Sequence, residues 1–247
     1  MGFMPYSCID WYTEMAGRLH IGNIDHRQAC LDAGLVWHTN DHTPIRSPNH
    51  PPRRPTTVIS LDAHNRAVLH ESFWGLTPAW LKQLDRAPHC ARAEGLLERP
   101  MFQEAIKTSR CIIPVTGIYV WQTSIRGKQP FMVTRVDRGP MLLAGIQTRY
   151  PMETHERLSF ALITTSVAAS LNTLTDRLPV IIGSEHLCTW LLDDTPLHDA
   201  CALLRPAPST LLGAFPVSRA INALDCQEWH CSYPTGPMFT ASTSPTD

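Results

Sequence analysis

The stretch RCIIPVTGIYVW, residues 110–121, decides the fold, because its isoleucine, valine and aromatic side chains are typical of β-strands. Short runs of the same composition recur along the chain, at residues 57–61, 67–74, 131–136, 141–147 and 158–165. Few helical segments separate these runs. Together they predict a curled, mostly antiparallel sheet rather than alternating βαβ units.

Helical signals are fewer and shorter. Asp25 followed by Gln28 has the form of a capping box and predicts a helix over residues 25–35. Further helices are predicted over residues 96–107, with an interruption near Pro100, and over 167–174, 185–192 and 197–204. Residues 45–55, rich in Pro, Asn and Arg, predict an irregular loop. The class is therefore α+β, with helices at the periphery of the sheet.

Composition restricts the possible partners. The chain has 247 residues, which suits a single domain, and 21 Lys plus Arg against 22 Asp plus Glu, so no global positive field attracts nucleic acid. Any DNA contact must come from a local patch. We identify neither a signal peptide in residues 1–20 nor an apolar run that could span a membrane. The eight cysteines are interpreted as reduced thiols, and the expected location is cytoplasmic.

Two groups of cysteine and histidine have spacings that metal ligands could use: His38 with His42, and Cys226 with His230 and Cys231. Neither group has a second pair of ligands at zinc-finger spacing. We interpret them as surface histidines and small buried thiols, and the sequence implies no metal and no other cofactor.

Six short motifs carry a resemblance to a known family: FWGLTPAW at 73–80, ARAE at 91–94, RCIIP at 110–114, GIYVW at 117–121, KQPF at 128–131 and DRLP at 176–179. They resemble the SRAP (SOS response-associated peptidase) family, over roughly residues 15–224. The resemblance implies an α+β fold with a barrel-like, bifurcated and mostly antiparallel sheet. We expect an extension (1–14), one domain (15–231) and a flexible tail (232–247), the last because those residues are rich in Ser, Thr and Pro.

The resemblance also implies a covalent chemistry. Family members begin Met-Cys-Gly-Arg and lose the methionine; the exposed amine attacks the aldehyde of an abasic site, and the thiol closes a thiazolidine. The matching segment here is MAGR at residues 15–18, so Ala16 replaces the cysteine. Fifteen residues precede Ala16, which makes its nitrogen an amide and not a nucleophile. The thiol autopeptidase activity suggested for the family would be lost as well.

Three other positions of that chemistry are substituted. Cys90 stands where the family has an asparagine, Val120 where it has a glutamate, and Thr175 where it has a histidine. Valine cannot exchange a proton, and threonine does not titrate near neutral pH. We therefore expect Ala16, Cys90, Val120 and Thr175 to line one site that has lost its reactivity.

Residues implied in DNA binding are retained. Arg18, Arg92 and Arg177 match arginines that converge on phosphates in the family, and guanidinium groups suit phosphate geometry. Asn49 lies in a loop that borders the DNA cleft in the family, and Trp80 offers a ring for stacking. The expected partner is single-stranded or abasic DNA; the sequence identifies no protein partner.

Three functions remain open at this point. The first is a DNA-damage-response protein that binds such DNA without covalent chemistry. The second is an active enzyme that uses the Cys90 thiol, with a pKa lowered by Arg92, or an amine on Ala16 if translation begins at Met15. The third is a module whose cleft binds a peptide.

Overall fold

The computed structural model describes residues 17–81, 87–125, 127–152, 156–167 and 171–240. Within these ranges the strands are β1 Leu19–Ile21, β2 Val36–Trp37, β3 Ser47–His50, β4 Pro55–Leu61, β5 Arg66–Trp74, β6 Cys90–Arg92, β7 Arg110–Val115, β8 Gly117–Ser124, β9 Gly127–Arg135, β10 Met141–Pro151, β11 Glu156–Ser166, β12 Arg177–Pro179, β13 Leu212–Pro216 and β14 Phe239–Thr240. The α-helices there are α1 His26–Asp32, α2 Pro100–Thr108, α3 Leu187–Leu191 and α4 Leu197–Ala202.

A closed barrel forms the centre of the fold. Strands β5, β4, β7, β10 and β11 are successive antiparallel neighbours, and β11 closes the ring by pairing in parallel with β5 at Ser159–Phe73 and Phe160–Trp74. A second sheet has the strand order β14-β13-β9-β8-β1-β3. The predicted α+β fold with a barrel-like sheet and peripheral helices is confirmed.

The run at residues 110–121 connects the two sheets. It was predicted as one strand, but it forms two: β7 pairs with β4 and β10 in the barrel, whereas β8 pairs with β1 and β9 in the second sheet. The break lies at Thr116, whose backbone N–H donates to the carbonyl of His20 at 2.9 Å. Both halves are apolar because each lies in a sheet with buried faces.

Successive side chains along the barrel strands pack alternately into two hydrophobic cores. On β11, Phe160 and Leu162 pack in the cluster shared with the second sheet, while Ala161 and Ile163 pack in the cluster shared with the helices. This period of two is what a strand buried on both faces requires. The buried residues in the middle of β11 are therefore divided between the two cores, while both ends of the strand are exposed.

The predicted loop at residues 45–55 is wrong in part, because it contains the buried strand β3. Leu19 on β1 pairs with His50, and Tyr119 donates a hydrogen bond from its hydroxyl to the carbonyl of Pro48 at 2.6 Å. Proline and asparagine form strands poorly in general, but here pairing and side-chain hydrogen bonds outweigh that preference.

The helix predictions are mostly confirmed. Asp25 caps α1 by accepting a hydrogen bond from the backbone N–H of Gln28 at 2.9 Å, and α2 begins at Pro100. The helices predicted over residues 185–192 and 197–204 correspond to α3 and α4. The helix predicted over 167–174 falls partly on residues 168–170, outside the described part of the chain; residues 172–174 form a turn.

Part of the segment expected to be a flexible tail, residues 232–247, forms regular structure. Phe239 and Thr240 form β14, which pairs with Ala214 and Gly213 of β13. Residues 241–247 lie outside the described part of the chain. Within the described ranges, no helix has the length and apolar character that crossing a membrane requires.

Candidate functional site

The candidate site forms at the end of β11, which two short strands flank. On one side β6 places Cys90 beside Leu162 and Arg92 beside Thr164. On the other side β12 places Arg177 beside Ser166. Cys90 and Arg92 are thus brought to one strand end with Arg177, which is far from them in sequence.

Arg177 is fixed by two neighbours. Its Nη2 donates to Glu94 Oε2 at 2.7 Å and to the carbonyl of Thr164 at 2.8 Å, and its Nε donates to Thr164 Oγ1 at 3.4 Å. The hydrogen bond from Arg177 is the main reason why the pKa of Glu94 lies below its usual value. Glu94 is therefore ionised at neutral pH, and the guanidinium is held in one orientation.

Arg92 is exposed to solvent, as is its neighbour Glu94. Its side chain forms no hydrogen bond or ion pair with any other described residue, although its charge contributes to the lowered pKa of Glu94. We call Arg92, Glu94 and Arg177 the Arg92–Glu94–Arg177 group. Two cations and one anion leave it with a net positive charge, and Arg92 is open to solvent.

Thr175 supports the backbone of this group. Its hydroxyl donates to the carbonyl of Arg177 at 2.9 Å and accepts from the Arg177 N–H at 3.4 Å. Such local bonding is typical of threonine in turns. The hydroxyl at the position of the family's histidine therefore orients β12 and has no proton to exchange at neutral pH.

Cys90 and Val120 lie in an apolar environment. Val120 is 5% exposed within the core between the barrel and the second sheet, and Cys90 packs against the same core. Burial raises the pKa of the Cys90 thiol to about 12, against a smaller opposing effect of Arg177. The expectation that a nearby arginine lowers this pKa is wrong, because desolvation of the thiolate is the larger effect.

Ala16, the fourth position of the family's chemistry, lies outside the described residues. Described structure begins at Gly17.

Arg18 and Asn49 were expected to contact DNA, but the structure does not place them at an open surface. Both are buried, and Arg18 Nη1 donates to Asn49 Oδ1 at 2.7 Å and to the carbonyl of Ile221 at 2.8 Å. The Arg18 guanidinium also lies 5.5 Å from the Trp121 ring centroid. Trp121 lies on the strand face opposite to Val120 and packs against a third cluster, which we call the outer core of the second sheet. Its buried members are Tyr119, Met132, Phe215, Val217, Ile221 and Cys231. Arg18 is therefore directed away from the cluster that holds Cys90 and Val120.

A loop follows the end of β5, and its first residues, 75–78, are buried. Gly75 adopts φ +152°, a conformation that other residues rarely reach, and its N–H donates to the Phe160 carbonyl at 2.9 Å. The chain then runs to Trp80, which is 60% exposed, and residues 82–86 lie outside the described part. Arg53 and Arg54 are also exposed, and their backbone groups bond to Trp74 at the same strand end.

The cavities near the site are small. A cavity of about 10 Å³, lined in part by Thr165, Val167 and Leu178, lies beside the end of β11 and has space for about one water. No three His, Cys, Asp or Glu side chains of the described residues converge as a metal site.

Thr164, which was not among the predicted site residues, anchors Arg177 through both its carbonyl and its hydroxyl. No local signal marks it, because its role depends on the pairing of β11 with two distant strands.

Comparison with known proteins identifies relatives. A family model described as SOS response associated peptidase (SRAP) matches residues 15–224. The abasic site processing protein YoqW of Bacillus subtilis is 29% identical over 172 residues, covering 68% of this chain and 76% of YoqW. The abasic site processing protein YedK of Escherichia coli is 27% identical over 173 residues, covering 68% of this chain and 77% of YedK. A solved protein structure from Bacteroides thetaiotaomicron matches with a TM-score of 0.70 at 20% identity, covering 82% of this chain and 92% of that one.

Proposed function

This chain belongs to the SOS response-associated peptidase (SRAP) family, and from that premise we propose that it binds single-stranded or abasic DNA in the DNA damage response without forming a covalent bond. The relatives named as abasic site processing proteins support abasic DNA as the ligand. The finer proposal, binding without crosslinking, rests on the residues of the site.

The observation that carries the proposal is the exposed Arg92 side chain beside the Arg177–Glu94 pair. Guanidinium groups bind phosphate oxygens in a bidentate manner and stay charged at any relevant pH. Arg92 can bind a phosphate without losing a protein contact. Arg177 is already bonded to Glu94 and Thr164, whereas Arg92 is exposed, so Arg92 is the principal contact.

The loop after β5 adds contacts of another kind. Trp80 is 60% exposed, and an exposed indole can stack on an unpaired base, which contributes about 1 to 3 kcal/mol per base. Arg53 and Arg54 add positive charge at the same strand end. A chain with net charge −1 needs such a local patch to attract a phosphate backbone.

Four positions of the site lack the reactive groups that covalent chemistry requires. The Cys90 thiol has a pKa of about 12, Val120 is a buried aliphatic side chain, and the Thr175 hydroxyl bonds to backbone. In a chain that carries residues 1–15, the nitrogen of Ala16 is an amide. None of these groups is a nucleophile or a proton acceptor at neutral pH.

The test uses the full chain and single-stranded DNA with one abasic site, next to the same DNA without it. We expect a shift on a native gel and no adduct on a denaturing gel, with or without borohydride. An adduct that survives without reductant contradicts the proposal, and an adduct found only with borohydride identifies a Schiff base from an amine. The absence of a shift with both DNAs contradicts DNA binding itself.

A further inference from the structure

A polar cavity of about 190 Å³ lies at one end of the barrel, where the start of β7 meets the ends of β4 and β10 and the last residues of α2 and α3. It has space for several waters or for one small organic molecule. Leu158 lines it near the start of β11, about 20 Å along that strand from Thr164 at the candidate DNA site. The cavity is therefore separate from the DNA site, and the proposed function does not use it.

Gln147 brings a buried amide group to the cavity. The residue is 6% exposed, and its side-chain nitrogen lies 2.9 Å from Nε2 of His70. Burial lowers the pKa of His70 to about 4, so the imidazole is neutral at pH 7 and its Nε2 can accept a hydrogen bond from the amide. The amide oxygen of Gln147 accepts no hydrogen bond from any described residue. A buried acceptor of this kind requires a partner from water or from a ligand.

The charged side chains that line the cavity balance one another, with two carboxylates and two guanidinium groups. Three of the four are already bonded within the protein. Asp62 pairs with Arg66 at 2.8 Å, and Arg149 pairs with Glu156 at 3.2 Å. The buried Arg110 donates to backbone carbonyls at the ends of α2 and α3. These three charges therefore stabilise the fold around the cavity.

Other side chains of the lining keep hydrogen-bonding capacity. The exposed Asp193 carboxylate, the fourth charge, forms no hydrogen bond or ion pair with any other described residue. Ser60 and Ser109 add hydroxyl groups, each with one donor and two acceptor positions. Each hydroxyl has one neighbour at 3.4 Å, Nδ1 of His70 for Ser60 and the hydroxyl of Thr108 for Ser109. The cavity thus presents both donors and acceptors to a ligand.

We propose that this cavity binds a small neutral polyhydroxyl molecule, a monosaccharide or another polyol. A hydroxyl group both donates and accepts hydrogen bonds, so such a molecule can donate to the Asp193 carboxylate and the Gln147 amide oxygen and accept from the Ser109 hydroxyl. Its C–H groups can contact the leucine side chains of the lining, which are Leu61, Leu158 and Leu191.

Other classes of ligand fit the cavity less well. The balanced charges give no net attraction for a phosphate or a polyamine. A purely apolar molecule would leave the Gln147 amide and the Asp193 carboxylate without partners. A nucleobase is held by stacking on aromatic rings, and no aromatic side chain among the described residues lines the cavity.

Titration of the ¹⁵N-labelled full chain, followed by NMR, tests the proposal. The polyhydroxyl probes are D-ribose and glycerol, and the probes of other classes are uracil, putrescine and inorganic phosphate. We expect D-ribose to shift the amide signals of residues 60–62, 108–110 and 147–149 and to saturate them, whereas the other three classes leave them unchanged. This result would not depend on whether the protein binds DNA.

The neighbouring carboxylates Asp193 and Asp194 provide a matched pair of variants. Asp193→Asn removes the charge of the acceptor and keeps its size, so the Kd for D-ribose should rise about fivefold or more. Asp194→Asn changes an exposed carboxylate that does not line the cavity and should alter the Kd by less than about twofold. Gln147→Leu should abolish saturation; because this residue is buried, folding of the variant is checked first, and Asp193→Asn decides if it fails.

Three results would overturn the proposal. The first is that neither D-ribose nor glycerol gives saturable shifts at the cavity. The second is that uracil, putrescine or phosphate saturates the same amides at lower concentration than D-ribose. The third is an equal Kd for D-ribose in Asp193→Asn and Asp194→Asn, which would place the bound sugar outside the cavity.

Discussion

Arg18 and Arg92 lie in opposite surroundings, although each belongs to a motif that resembles the family's. Arg18 is 3% exposed, and three protein oxygens, from Asn49, Ile221 and Asn222, accept its hydrogen bonds. Arg92 is exposed on β6 and bonds to no other described side chain or carbonyl. The difference teaches that an arginine binds either its own fold or a ligand according to the acceptors within reach. The two Nη groups of Arg18 cannot bind phosphate without losing these protein contacts.

The largest effect is expected for Arg18→Ala. This change removes a buried charge from acceptors that stay buried, so we expect a loss of about 2 to 4 kcal/mol in the free energy of unfolding. Denaturant titration followed by fluorescence measures it. Arg27→Ala, which removes an exposed arginine from α1, is the matched control and should change the free energy by less than about 0.5 kcal/mol. A loss as small as that of the control would contradict the structural role of Arg18.

Arg92→Ala should show the reverse pattern. Stability should change by less than about 0.5 kcal/mol, because the side chain is exposed, whereas affinity for single-stranded DNA should fall about tenfold at low salt. The slope of log affinity against log salt should also decrease by about one, since one phosphate contact is lost. Fluorescence anisotropy over a salt series measures both quantities. Arg27→Ala again serves as the control, and equal slopes for the two variants would remove Arg92 from the DNA interface.

The smallest effect is expected for Glu94→Gln. Removing this carboxylate frees Arg177 and lessens repulsion of phosphate, so affinity for single-stranded DNA should rise by a factor of about two to five. Because folding lowers the pKa of Glu94, its contribution to stability is present above its unfolded pKa and is lost as pH falls through the folded value. The pair is partly exposed and contributes at most about 1 kcal/mol. Wild type should therefore lose slightly more stability than Glu94→Gln between about pH 5 and pH 3.

The sequence predicted the parts of the fold that depend on local pattern. The apolar, β-rich run that forms β11 and the Asp25 cap of α1 were readable because composition and spacing are local properties of the sequence. The strand β3 was missed, since its pairing with β1 outweighs the preferences of Pro48 and Asn49.

For the site, sequence motifs located Cys90, Arg92 and Arg177 but not their environments. The direction of Arg18 depends on the carbonyl of Ile221, 203 residues away in sequence, and no local pattern reports such a contact. The pKa of Cys90 was predicted in the wrong direction because burial in the core, and not the adjacent arginine, dominates it.

The central claim, that the site binds abasic DNA without bonding to it, is tested most directly by crosslinking. Wild type is compared on a denaturing gel with a chain that begins at Met15 and carries Ala16→Cys, Cys90→Asn, Val120→Glu and Thr175→His. We expect no adduct for wild type in the absence of borohydride and a stable adduct for the restored chain, provided by its free amine and thiol. Glutamate at position 120 enters an apolar core, so the restored chain is first checked for folding. Whatever that check gives, a stable adduct formed by wild type without reductant would contradict the account.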